Sequence, residues 1–291
     1  MSMATDRITL RQPTPGDVET LGRIVYEAFG DIHDQHGFQR DFPSIEAAIG
    51  MMSTWVPHPK VWGVVAEAGG KIIGSNFLDE RDSISGIGPI TIDPSSQNSG
   101  VGRMLMEAVI DHAKDADGIR LVQDGFHMRS LSLYTSLGFR VTTHCIVMSG
   151  RPRSRPPEGY DVRPLARSDL DDCAAVCQRV HGFTRNGALD DALHVFQPYV
   201  AERDGRVVAY SVAPTFWPMS HGAAETEDDM KALLLGAAAD TSDPIALLVP
   251  LRSGLFPWAL GEGLRAVKPM NVMSMGTYQE PRGSWYPSVL Y

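Results

Sequence analysis

The residues whose types and spacing best suit chemistry are Gln97-Asn98-Ser99-Gly100-Val101-Gly102-Arg103, which follow the apolar run Ile90-Thr91-Ile92 and open a segment of helical period. The first backbone N–H groups of a helix have no partner within it and carry the positive end of its dipole. Glycines at 100 and 102 put no side chain between those groups and a ligand, so the turn can cradle a pyrophosphate. It is not a G-x-G-x-x-G dinucleotide turn, and it lacks the lysine of a P-loop. Further along, Tyr134 lies in the amphipathic stretch Ser130 to Leu137. Glu80, Asp82, Asp93 and Asp124 are the carboxylates near strand ends, and of these Glu80 and Asp124 each follow an apolar strand and are the candidates for taking a proton.

Other polar groups carry less. Asp31-Ile32-His33-Asp34-Gln35-His36 reads as a polar loop after a helix, because two histidines at this spacing do not by themselves enclose an ion. No metal is expected. Trp55, Pro57, His58 and Trp62 read as core and turn residues, and Cys173 and Cys177 share a helical face with Leu170, Ala174 and Val180 as buried thiols. Glu225 to Asp229 reads as the acidic start of a helix.

The elements that must position these groups alternate in period. Val18, Leu21, Ile24, Val25, Ala28 and Phe29 fall on one helical face, and Val61 to Ala66 and Lys71 to Leu78 read as antiparallel strands about Gly69-Gly70. Ile84 to Ile92 reads as a third strand, and Val101, Met104, Leu105, Ala108 and Val109 as a second helix. Ile119 to Gln123 is a strand, Ser130 to Leu137 a short helix stopped by Gly138, and Val141 to Met148 a last strand. The sum is an α+β fold with a mixed sheet.

The proline- and arginine-rich segment from Gly150 to Gly159 reads as a linker, dividing the chain into residues 1–149, 150–159 and 160–291. The halves match in three places, in the same order. Ile8-Thr9-Leu10-Arg11 with Asp17 recurs as Tyr160-Asp161-Val162-Arg163 with Asp169, and Glu67 to Ile73 recurs as Glu202 to Val208. Gly138-Phe139-Arg140 and Val147-Met148-Ser149 recur 125 residues later as Gly263-Leu264-Arg265 and Val272-Met273-Ser274. Such an ordered series points to a duplicated domain. At that offset Tyr134 maps to Ala259, and the second half has no Gln-x-x-Gly-x-Gly turn, so it reads as a degenerate copy.

Composition narrows the function classes. At 43% hydrophobic and 21% charged the chain is an ordinary globular protein, and with three cysteines it is a poor disulfide framework. Its net charge of -9 argues against nucleic-acid binding and makes amine partners easier to accept. Its apolar runs fall short of the ~20 residues that cross a bilayer, so no membrane partner and a cytoplasmic setting are expected.

Gln97-x-x-Gly100-x-Gly102, followed by Leu133-Tyr134-Thr135-Ser136-Leu137-Gly138-Phe139, resembles the GNAT superfamily of acyl-CoA-dependent N-acetyltransferases over residues 7 to 149. The resemblance implies tandem GNAT-like domains, the first binding acetyl-CoA and passing its acetyl group directly to a primary amine, with no metal. By the same resemblance Ile90, Thr91 and Ile92 pair with the pantetheine amides, and Gln97, Asn98, Ser99, Gly100, Val101, Gly102 and Arg103 hold the pyrophosphate. Tyr134 is the general acid for the leaving thiolate, and Glu80 or Asp124 the base, the C-terminal carboxylate at Tyr291 being an outside alternative. His127 stands where the family often has asparagine and is expected at the cofactor; Asn98 replaces a commoner glycine. A small-molecule amine is the expected acceptor and a homodimer a possible assembly. A non-catalytic acyl-CoA-binding sensor or interaction module is the alternative function.

Overall fold

The computed structural model describes residues 7–97 and 99–291, so Asn98 lies outside the described residues. Compactness divides the chain into residues 7–80 with 85–119, and residues 81–84 with 120–291. The division falls within the first half of the sequence rather than at the linker, for a reason found in the strand pairing of the second unit.

The first unit begins with β1 (Thr9–Arg11) and continues through α1 (Val18–His36), α2 (Ile45–Trp55), β2 (Val61–Ala68), β3 (Lys71–Asp79), β4 (Ile84–Ile87), β5 (Thr91–Ile92) and α3 (Val101–His112). The strands run β1-β2-β3-β4 in antiparallel order, and β5 also pairs with β3, Gly74 opposite Ile92 and Ser75 opposite Thr91. The single strand expected from Ile84 to Ile92 is therefore two. It breaks at Gly88-Pro89-Ile90, where proline has no N–H to give to a ladder. Leu21, Val25, Ala48, Met52, Val65 and Phe77 form the core between the helices and the sheet.

Asp31 to His36 is not a loop but the end of α1. His33 Nδ1 and His36 Nδ1 lie 2.6 and 2.9 Å from the carbonyls of Phe29 and Ile32, one turn back. The helix then stops at Gly37, whose left-handed backbone (φ 72°) lets its N–H and that of Phe38 reach the Asp34 and His33 carbonyls.

In order, the second unit contains β6 (Gly118–Asp124), α4 (Met128–Ser136), β7 (Arg140–Gly150), β8 (Tyr160–Pro164), α5 (Leu170–His181) and α6 (Asn186–Val195). These lead into β9 (Tyr199–Arg203), β10 (Arg206–Ser211), β11 (Gly222–Ala224), α7 (Glu227–Asp240), β12 (Ile245–Pro250), α8 (Leu255–Gly261), β13 (Arg265–Gly276) and β14 (Ser284–Tyr286). Five strands form a sheet in the order β14-β11-β10-β9-β8, and four more run β6-β13-β7-β12. α7 starts as the acidic run predicts, with Thr226 accepting from Asp229 N and the Asp229 carboxylate accepting from Thr226 N.

The order β6-β13-β7-β12 is an exchange of strands between the two sequence halves. β13, from the second half, lies between β6 and β7 of the first, while β7 lies between β13 and β12 of the second. In the β7–β13 pair Arg140 opposes Ser274 and Ser149 opposes Arg265. These are the positions related by the offset of 125 (265 minus 140, and 274 minus 149), so the two copies meet across a local two-fold axis. A linker cannot separate halves that complete each other's sheet. The linker itself is pinned inside this unit: Arg151 donates to the carbonyls of Ala238, Thr241 and Ser242 at the end of α7, and Arg153 N and Ser154 N donate to Glu262 Oε2.

The duplication also appears atom by atom. Arg11 donates two hydrogen bonds to Asp17, at 2.7 and 3.0 Å, and one to Glu67; Arg163 donates two to Asp169, also at 2.7 and 3.0 Å, and two to Glu202. Asp17 and Asp169 each accept from the backbone three residues earlier, at 2.7 and 2.8 Å. After α4 and α8, Gly138 and Gly263 are both left-handed (φ 103° and 97°), and Phe139 N and Leu264 N reach back to the carbonyls of Tyr134 and Ala259 at 3.0 and 2.9 Å.

Candidate functional site

The glycine turn has the geometry its sequence requires. Asp93 turns the chain out of β5 by accepting from Ser95 N at 3.0 Å, and Ser99 Oγ donates to the Ser96 carbonyl at 2.6 Å. Gly100 then caps α3 with φ 85°, a left-handed conformation open to glycine at no steric cost. A Cβ built at Gly100 meets nothing within 4 Å, so the space above the turn is open. The amides of Val101 and Gly102 are the first of α3, while those of Arg103 and Met104 both point to the Gly100 carbonyl, at 3.1 and 3.2 Å. Val101, Gly102, Leu105, Met106 and Val109 are buried, which fixes the helix against the sheet. Thr91 and Ile92 lie in β5, and Ile90 lies just before it, in the break.

Tyr134 is buried on α4, 7% exposed, with its ring edge-on to Phe139 at 6.5 Å. Burial pushes its phenol well above the ordinary value, and the charge of Asp124 adds to the effect. The hydroxyl therefore keeps its proton throughout the physiological range. His127 is the residue before α4; its N–H donates to the Asp124 carbonyl at 2.9 Å, and its own carbonyl accepts from Ser130 Oγ at 2.8 Å.

Asp124 sits at the end of β6 and accepts from Lys268 Nζ at 2.7 Å, with side chains 7% and 2% exposed. Lys268 belongs to the exchanged strand β13, and its ammonium lies 4.9 Å from the centre of the Trp217 ring. Sequence reasoning missed both residues. The one local signal is a lysine between the apolar residues Val267 and Pro269, and the equivalent position in the first copy is Thr143, which offers no hint.

Glu80 occupies a different place. It follows β3, and its Oε2 is 3.3 Å from Nε2 of His112, the last residue of α3. The His112 ring stacks on Trp62 at 4.2 Å and 11°. The glycine turn lies at the other end of this 12-residue helix, about 18 Å away at 1.5 Å per residue. Asp82 accepts from the first amides of α6, Gly187 N at 2.9 Å and Ala188 N at 3.2 Å. Tyr291 is buried, its hydroxyl 3.2 Å from His181 Nδ1. Cys173 and Cys177 are buried core thiols, and burial pushes both up.

The order of strands and helices that carries these features is found in known structures. The fold matches a Pyrococcus horikoshii protein described as an acetyltransferase, with a TM-score of 0.75 and 15% identity, covering 98% of this chain and 94% of that one. It also matches a tandem GNAT protein from the clavulanic acid biosynthesis pathway, with a TM-score of 0.59 and 11% identity, covering 94% and 100%. The chain thus has a tandem GNAT fold. Residues 24–139, which lie within the first copy, match the family model described as "Acetyltransferase (GNAT) family". Curated relatives include two mycothiol acetyltransferases. That of Beutenbergia cavernae is 30% identical over 89 residues, covering 30% of each protein. That of Thermomonospora curvata is 29% identical over 138 residues, covering 46% of this chain and 44% of the relative. The chain thus spans less than half the length of these relatives. Among the described residues no helix is long and apolar enough to cross a membrane.

Proposed function

We propose that the protein is an acetyl-CoA-dependent N-acetyltransferase whose first copy moves an acetyl group directly to the primary amine of a small molecule. The observation that carries this reading is the turn from Gln97 to Gly102: a left-handed Gly100 with open space above it, followed at once by the N-terminal amides of a buried helix. The turn fits a pyrophosphate because it offers N–H donors and no blocking side chain. Acetyl-CoA, when bound, supplies an acyl carbon activated by a thiolate leaving group. Thr91 and Ile92 offer strand backbone to an extended ligand. Tyr134 Oη holds a proton that its burial retains, and donates it where thiolate charge develops. Asp124, fixed by Lys268 and near enough for its charge to act on Tyr134, is the carboxylate assigned to receive the amine proton. Glu80 is less suited, being engaged with His112 at the far end of α3.

The mycothiol acetyltransferase relatives are consistent with acetyl transfer, and the acidic balance of the chain favours amine acceptors. The test is calorimetric titration of acetyl-CoA followed by thiol release with pooled amines. Binding together with amine-dependent release is expected. Release independent of any amine, or no binding, overturns the proposal, and binding without release identifies a sensor.

A further inference from the structure

The helix that carries Tyr134 is tied to the strand before it by a polar contact that its counterpart in the second copy lacks. Ser130 stands one turn before Tyr134 in α4, on the same helical face. Its hydroxyl proton is shared between the His127 carbonyl, at 2.8 Å, and Gln123 Oε1 in β6, at 3.0 Å, a three-centre arrangement of the kind common at helix ends.

This contact is a poor way to stabilise a core. Gln123 is 5% exposed, and its Nε2 has no hydrogen-bond partner among the described residues. A buried amide with one end unmet costs stability that an apolar side chain of similar length does not. The second copy shows the apolar solution within the same chain. β12 flanks β7 as β6 flanks β13, and it leads into α8 as β6 leads into α4. At the offset of 125 (255 minus 130, and 259 minus 134), Ser130 and Tyr134 become Leu255 and Ala259, which pack in one apolar cluster with Leu247 and Val249 of β12. The junction closes without polar side chains where there is no tyrosine to hold, and with them where there is one.

We propose that Gln123 is a positioning residue for acetyl transfer: through Ser130 it fixes the start of α4 on the end of β6, and so holds the Tyr134 hydroxyl where it gives up its proton. The far end of α4 is fixed by Phe139, whose N–H donates to the Tyr134 carbonyl at 3.0 Å and whose ring meets the Tyr134 ring edge-on. Gln123 directly precedes Asp124, so one strand end carries both the assigned base and the anchor of the helix that bears the assigned acid. A displacement of about 1 Å at a reacting group can cost roughly 10²-fold in rate, which gives a single anchoring contact its weight. The inference rests on the acetyl-transfer reading above.

The experiment measures kcat and KM for acetyl-CoA, with a pool of primary alkylamines as acceptors, together with urea unfolding. It is run on the wild type, Ser130→Ala, Gln123→Met and the double variant, each with Tyr134 and with Tyr134→Phe. With Tyr134 present, each variant should lose about 10-fold or more in kcat while KM changes by less than about 2-fold. Ser130→Ala leaves the Gln123 carboxamide unmet at both ends and should lower the urea midpoint. Adding Gln123→Met removes the unmet group and should restore the midpoint without restoring kcat, a separation that a purely structural contact does not produce. In Tyr134→Phe, which has no hydroxyl to place, the same substitutions should lower kcat no further. If Gln123→Met does not fold, Ser130→Ala with and without Tyr134→Phe decides. Unchanged kcat, a kcat that recovers together with the midpoint, or losses of equal size with and without the Tyr134 hydroxyl overturn the proposal. If the wild type turns over no amine, the acetyl-transfer reading fails by itself, and the anchor is read from tyrosine ring NMR. The signal that Tyr134→Phe removes should then move in Ser130→Ala and Gln123→Met, and a signal that stays in place overturns the anchoring.

Discussion

Replacing Lys268 with methionine tests whether the exchanged strand holds the first copy's carboxylate in place. The substitution keeps an unbranched side chain but removes the ammonium that donates to Asp124 Oδ1 at 2.7 Å. With side chains 2% and 7% exposed, water cannot take over the lost interaction, so the loss should be about 3–5 kcal/mol. The contact of the ammonium with Trp217, at 4.9 Å, accounts for about 1–2 kcal/mol of that. Asp124→Asn strands the ammonium instead and should cost a similar amount. In the double variant Lys268→Met with Asp124→Asn neither charge remains, and replacing a buried pair by uncharged groups is often nearly neutral. The double variant should therefore recover at least about 2 kcal/mol relative to the sum of the single variants. Urea unfolding of all four proteins, followed by far-ultraviolet circular dichroism, measures the cycle. Single losses below about 1 kcal/mol, or losses that simply add, would show that the two groups are not a buried interacting pair and would refute the reasoning.

Gly100→Asp should leave the fold intact, because aspartate tolerates a left-handed backbone and caps helices well, while its charge repels an anion at the turn; acetyl-CoA affinity by calorimetry should fall by roughly 100-fold, in line with two to three kcal/mol. Tyr134→Phe retains the packed ring and should lower kcat by about 10²-fold or more with little change in thermal midpoint, and full activity at the pH optimum would exclude a proton-donor role. The Arg11 hydrogen bonds, helped by Thr14, hold the Asp17 carboxyl at about 2, below the ordinary 3.8. This lowered value stabilises the fold above pH 3.8, and the contribution disappears as pH falls towards 2. Because Arg11 is partly exposed, the contribution is discounted to roughly 1 kcal/mol. Urea midpoints at pH 5 and pH 2.5 should therefore fall more steeply for the wild type than for Asp17→Asn.

Much of the architecture was legible because its signals are local. Gly69-Gly70 and Asp204-Gly205 both turn with positive φ between paired strands, as their residue types require. Gly138 stops one helix and Gly263 its counterpart, and the capping residues of α7 read directly as Thr226 and Asp229. The failures were also local in origin. Pro89 broke a strand whose apolar pattern ran on through it, and Asp31 to His36 continued a helix because each histidine could bond one turn back.

By itself the sequence determined the element order, the glycine turn before α3, the tyrosine on α4 and the duplication, since each rests on periods of two or 3.6 residues, on turn residues, or on matched spacing. Only the tertiary structure decided which strands pair. Nothing in the residues near β7 says that β12 and β13, some hundred residues away, will flank it, because pairing partners are chosen by the shape of the assembled sheet. The same pairing brings Lys268 to Asp124, and packing sets Arg185 against Ser288. In both cases the chemistry depends on distance in space, which sequence spacing does not carry.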